Sequence, residues 1–127
     1  MIDQPHWRRL LLRSEEAAKK YEEEIRNHAP SDGCNLCNDR DSTIQEFTHF
    51  ALMRNKFPYD RYFTKSDMIV AKRHVTELEL NQEERTELAE IKKVLSDSYD
   101  SLIEHLPKQK SIPGHYHLHV IEFKRPV

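Results

Sequence analysis

Three of the chain's eight histidines fall within Gly114-His115-Tyr116-His117-Leu118-His119-Val120, at alternate positions. Side chains along an extended strand point to opposite faces in turn, so His115, His117 and His119 share one face and Tyr116, Leu118 and Val120 the other. A neutral imidazole presents one donor and one acceptor nitrogen, so such a row can ligate a metal, supply a nucleophile or base, or hold an anion. The opposite face has the composition of a core, which a purification tag would lack. Cys34 and Cys37, spaced C-x-x-C, are the only two cysteines. That spacing suggests a metal site or a redox pair before a structural disulfide, and a tetrahedral site would need two ligands from elsewhere.

These residues need elements to hold them. A chain of 127 residues makes one domain that can bury a core without disulfides. Trp7, Leu11, Ala18, Tyr21 and Ile25 recur at a helical period and predict an amphipathic helix over about 5–27, with Arg8, Arg9, Glu15, Glu16, Lys19 and Lys20 on a solvated face. The stretch 29–33 breaks it, and 34–39 is a turn-like knuckle suited to wrapping a metal. Phe47, Phe50, Ala51, Leu52 and Met53 predict a strand from Ile44 to Arg54 with His49 inside it, closed by a loop at 55–59 in which Asn55 serves turn chemistry or offers an amide to a ligand's sugar. A second strand is expected over 67–71. Asn81 and Glu84 have the spacing of a capping box, and Leu88, Ile91, Leu95 and Leu102 predict a long helix to about His105, there a cation near the carbonyl end. A loop over 108–113 then leads to the histidine strand.

Composition narrows the partners. Charged residues make up 33% of the chain, yet the formal net charge is only −2, which gives no general electrostatic reason to bind a nucleic-acid polymer or a membrane surface. No apolar run approaches the roughly 20 residues that span a bilayer, and the first residues lack a basic region followed by an apolar one. The cytoplasm is the expected location.

Three segments together carry a family resemblance. His115-Tyr116-His117-Leu118-His119-Val120 resembles the His-φ-His-φ-His-φ signature of the histidine triad superfamily of nucleotide hydrolases and transferases. Asn55-Lys56-Phe57-Pro58-Tyr59 is similar to that family's N-x-[FY]-P-Y segment, and Ile69-Val70-Ala71-Lys72-Arg73-His74-Val75 to its V-x-P-K-x-H strand end. The resemblance spans about 34–123 and implies an α+β fold, a histidine-triad-like antiparallel sheet with one long helix packed on it, paired into a homodimer. Here an additional N-terminal helix precedes it, so that 1–30 is a helical extension and 31–127 the domain.

The resemblance also implies chemistry. His117 would attack the α-phosphorus of a nucleoside phosphate ester, anhydride or phosphoramidate, forming a transient nucleotidyl-histidine, and His119 would hydrogen-bond the phosphate and help the leaving group. Asn55, Ser111, Gly114 and His119 are the expected substrate contacts. Zinc-containing members of the superfamily use a C-x-x-C pair, the histidine closing the second conserved strand and the first triad histidine, which here are Cys34, Cys37, His74 and His115. Two thiolates and two imidazoles would close a tetrahedral structural zinc site. The chain departs from the family where Ser111 replaces a glutamine, Lys65-Ser66 a Gly-His pair and Ala71 a proline. The alternative is a nucleotide-binding or regulatory module with little or no turnover.

Overall fold

The computed structural model describes residues 5–27, 33–38, 40–106, 112 and 114–125. Among them are helices α1 (His6–Arg9), α2 (Glu15–Asn27), α3 (Asn35–Asn38) and α4 (Gln82–Val94), and strands β1 (Thr43–Glu46), β2 (Phe50–Arg54), β3 (Phe63–Ala71), β4 (Ser101–Ile103) and β5 (His117–Phe123). The strands form one sheet in the order β1-β2-β3-β5-β4, every neighbouring pair antiparallel. The expected α+β architecture, a sheet with a long helix on it and further helix at the N-terminus, is what the chain adopts.

Register sorts the two faces. Val70 lies opposite His117 and Met68 opposite His119, and residues directly opposite across an antiparallel pair share a face. On the other face Leu52, Ile69, Leu118 and Val120 pack with Leu88, Ile91 and Leu95 in one buried cluster, which fixes α4 to the sheet. A one-residue slip of β5 would bury the imidazoles under α4 and expel Leu118, so the apolar alternation pins the chemical face. The histidine face is covered differently. Ala51, Met53, Met68 and Val70 meet Leu36 of α3, with Cys34 and Ile112 packed alongside.

The capping box forms as its spacing predicts: Glu84 N donates to Asn81 Oδ1 and Asn81 N to Glu84 Oε1, both at 2.8 Å. Three expectations are corrected. The helix over 5–27 is two helices, because the backbone of the segment between them bonds to a distant loop. Ser14 N and Oγ donate to Asp60 while Ser14 Oγ accepts from Ala17 N and starts α2; Leu10 O and Leu12 O accept from Arg61. The strand from Ile44 to Arg54 is a hairpin. Phe47 N donates to Phe50 O, and His49 sits in the turn, its N–H donating to Glu87 of α4 at 2.7 Å. The long helix stops at Val94 and passes through a 3-10 turn at Leu95–Asp97. Leu102 then lies on edge strand β4 instead of a helical face, because Asp100 N, Leu102 and Ile103 pair with β5. Among the described residues no helix is long and apolar enough to cross a membrane.

Candidate functional site

Cys34, Cys37, His74 and His115 converge although three separate parts of the chain supply them. Their ligand atoms all lie within 4.8 Å of one another. Gly33, with a φ of 78°, turns the chain into α3 by a conformation that L side chains rarely take. The knuckle of Cys34-Asn35-Leu36-Cys37 is then seated by Leu36 in the apolar cluster beneath it. His74 follows the end of β3 and His115 lies two residues before β5. His115 Nδ1 is 3.4 Å from Cys34 Sγ and 3.3 Å from Cys37 Sγ, and His74 Nδ1 is 3.2 Å from Cys37 Sγ.

The donor set fits a metal on its own chemistry. His115 is wholly buried and donates Nε2–H to Ala71 O at 2.6 Å, which assigns the lone pair to Nδ1, the nitrogen that faces both thiols. A backbone carbonyl fixing the far nitrogen is the usual support of a ligating imidazole. The sulfur-to-nitrogen spacings approach the edge of about 3.5 Å that tetrahedral bonds to thiolate and imidazole subtend. These four residues can hold a metal ion.

Beside this cluster the next two histidines face a cavity of about 350 Å³. His117 donates Nδ1–H to His115 O at 2.9 Å, leaving its lone pair on Nε2. His119 is buried with its Nε2 3.0 Å from the Tyr59 hydroxyl, and its Nδ1 has no hydrogen-bond partner. Burial first, then the neighbouring His117, His105 and Arg13, push the His119 pKa well below its ordinary value, so the ring stays neutral. The same hydroxyl meets His105 Nε2 at 2.7 Å. A phenol has one proton, so it donates to one ring and accepts from the other. Burial drives the Tyr59 pKa well above the ordinary phenol range, which keeps that proton in place and ties the tautomers of His105 and His119 together.

Positioning of the expected substrate residues is uneven. Asn55 lines the cavity: Oδ1 accepts from Phe57 N at 3.0 Å, the turn chemistry its type suggests, while Nδ2 is buried without a hydrogen-bond partner. Gly114 is exposed, on the His74 side of the metal cluster. Ser111 lies outside the described residues.

Among the cavity residues not anticipated as site residues are Arg13, Tyr59 and His105. Arg13 donates Nε to Phe57 O at 2.8 Å, and its guanidinium lies over the rings of Tyr21 and Tyr59 at 4.5 and 4.7 Å. One signal was present in the sequence, since Arg13 directly follows Leu10-Leu11-Leu12 and an arginine against an apolar run is a candidate for burial. His105 carried none, because its place beside Tyr59 depends on the turn into β4.

A scan against family models and a search of curated proteins give no match. Among solved structures, a histidine triad protein from Clostridium difficile superposes with a TM-score of 0.53 over 79% of this chain and 98% of that one, at 14% identity. The fold is that of a histidine triad protein. His117 and His119 lie on β5 of that fold, with His115 two residues before it.

Proposed function

We propose that this chain is a nucleotidyl hydrolase or transferase that attacks the α-phosphate of a nucleoside phosphate derivative through His117. One observation carries the reading: the His117 Nδ1–H bond to His115 O puts the lone pair on Nε2 of a residue lining a cavity large enough for a nucleotide. A neutral imidazole so oriented is a competent nucleophile at phosphorus. In the first step the Nε2–P bond forms and the bond from phosphorus to the leaving group breaks. In the second a water or other acceptor oxygen takes the nucleotidyl group and its proton passes to the leaving imidazole or to solvent. His119 presents Nδ1 to the phosphoryl oxygens, as a donor when its Nε2 accepts from Tyr59. Asn55 Nδ2 supplies a further buried donor for the ligand, and the backbone around Gly114 and the side chain of Ser111 belong to the same proposed contact set.

Zinc is the metal the Cys34, Cys37, His74 and His115 set suits best, two soft thiolates and two imidazoles closing all four positions. Its part is structural. When bound it would hold the ring of His115 in place, and the carbonyl of His115 is the group that sets the tautomer of His117.

The test is a panel of adenosine and guanosine esters, anhydrides and phosphoramidates assayed for nucleoside monophosphate release. Wild type is expected to turn over at least one class, and His117→Ala to lose at least ~10³-fold in rate, as removal of a nucleophile does, while binding the monophosphate with similar affinity. Binding without any turnover by the wild type would instead leave a nucleotide-binding module and end the enzymatic reading.

A further inference from the structure

The Tyr59 hydroxyl is shared by two imidazoles from different parts of the sheet. It lies 2.7 Å from His105 Nε2 and 3.0 Å from His119 Nε2. The three rings are in mutual contact, with centroids 4.4, 5.4 and 5.7 Å apart. Tyr59 and His119 are buried, whereas His105, just past the end of β4, is half-buried. His105 lies outside the three segments that resemble the triad family.

Proton counting says what such a chain can do. A neutral imidazole carries one proton, on Nδ1 or Nε2, and the hydrogen bond at one nitrogen decides the other. Burial keeps His119 neutral and its Nδ1 has no hydrogen-bond partner, so its tautomer is decided at Nε2, by Tyr59. The phenol keeps its own proton, because burial drives its pKa well above the ordinary range. Arg13, which also acts on Tyr59, can only donate and so cannot draw that proton. The proton therefore goes to one of the two imidazoles, and His105 makes the choice. Two of its three forms, the Nε2–H tautomer and the cation, donate to the Tyr59 oxygen. The phenol then donates to His119 Nε2, and His119 holds its proton on Nδ1. Only the Nδ1–H tautomer of His105 draws the phenol proton and leaves a lone pair on His119 Nδ1. A phosphoryl oxygen would be met by a donor in the first arrangement and by another acceptor in the second.

We propose that His105 is a positioning residue: through the Tyr59 hydroxyl it holds His119 as the Nδ1–H tautomer, so that the buried third histidine of the row offers a donor to an anionic group in the cavity. The inference rests on the nucleotide reading given above and adds to it a residue from outside the row. No net proton moves along the chain. What passes from His105 to His119 is the direction of donation, which needs no charge on the buried ring.

The experiment reads the protonation of the His119 ring nitrogens by NMR in the full chain labelled with heavy nitrogen. Wild type is expected to show a protonated Nδ1. His105→Lys, which can only donate, should keep it, and His105→Glu, whose carboxylate can only accept, should move the proton to Nε2. Lost packing at position 105 would not sort the two nitrogens by whether the substitute donates or accepts. Affinity for adenosine and guanosine monophosphates should fall ~10-fold or more in His105→Glu. The loss should be much smaller when the same change is made together with Tyr59→Phe, where the new charge remains but the link is cut. An unprotonated Nδ1 in the wild type, one tautomer in both His105 variants, or equal affinity losses with and without the Tyr59 hydroxyl would overturn the inference. The tautomer is measured on the free protein, so a wild type that binds no nucleotide ends the nucleotide reading while the spectra still decide the coupling.

Discussion

His119 is 5% exposed, and among the described residues it hydrogen-bonds the Tyr59 hydroxyl alone. The groups around it, His117, His105, Arg13 and Tyr59, include no carboxylate that would favour a charged ring, and burial lowers its pKa well below 6.5. An unfolded chain has no such restriction and takes up a proton as the pH falls through the ordinary value. Between that value and the lower folded one, the unfolded state binds more protons than the native state, so stability is lost as pH falls below about 6.5 and regained above it. One proton of difference corresponds to a slope of at most ~1.4 kcal/mol per pH unit. Thermal midpoints measured from pH 7.5 to 5 should fall, and His119→Asn, which has no ring to protonate, should flatten the dependence. A slope unchanged in that variant would mean the acid sensitivity arises at another group.

The elements matter for where they end. Glu84, 1% exposed in the first turn of α4, accepts from Arg73 at 2.6 and 3.0 Å and from Asn81 N, tying the helix start to the residue beside the metal candidate His74. Arg73 holds the Glu84 carboxyl below the usual carboxylate range despite its burial. That contribution is present above the ordinary carboxylate value and lost as the folded carboxylate takes up its proton in acid. Glu84→Gln should therefore lower Tm by several degrees at pH 7, with a difference from wild type that shrinks toward pH 4; equal midpoints at pH 7 would show that the pair adds nothing. The Asn81–Glu84 box and the alternation at 114–120 could be read in the sequence because each is a local pattern with a local partner. His105 and the break at Leu10–Ser14 could not, and Arg13 only as a candidate for burial, because their partners Phe57, Tyr59, Asp60 and Arg61 lie 44 or more residues away, and only the folded sheet brings them near. Leu102 misled for a simpler cause: it continues the helical spacing of Leu88 and Leu95 by coincidence after the chain has already turned.

Across the whole molecule the four metal candidates would act as a clip once a metal joined them. Cys34 meets His115 across 81 residues of sequence and Cys37 meets His74 across 37. A metal that binds only this assembled set stabilises the folded state by mass action, since the unfolded chain cannot present all four ligands at once. The clip also bears on the cavity, because Asn35, Leu36 and Asn38 of α3 line it while Cys34 and Cys37 flank Leu36. Without the metal, α3 is left with the packing of Leu36 and little else that is apolar, and a four-residue helix has no stability of its own. Removing the metal by chelation, or replacing Cys37→Ser, should thus do two things together. Tm should fall by roughly 10 °C or more, as loss of a few kcal/mol does in a domain of this size, and nucleotide affinity should fall ~10-fold or more because one wall of the cavity loosens. Readdition of zinc should restore both in the wild type and neither in Cys37→Ser. A chelated protein that melts lower but binds nucleotide as before would show that Leu36 alone seats α3, and would separate the metal clip from the binding cavity.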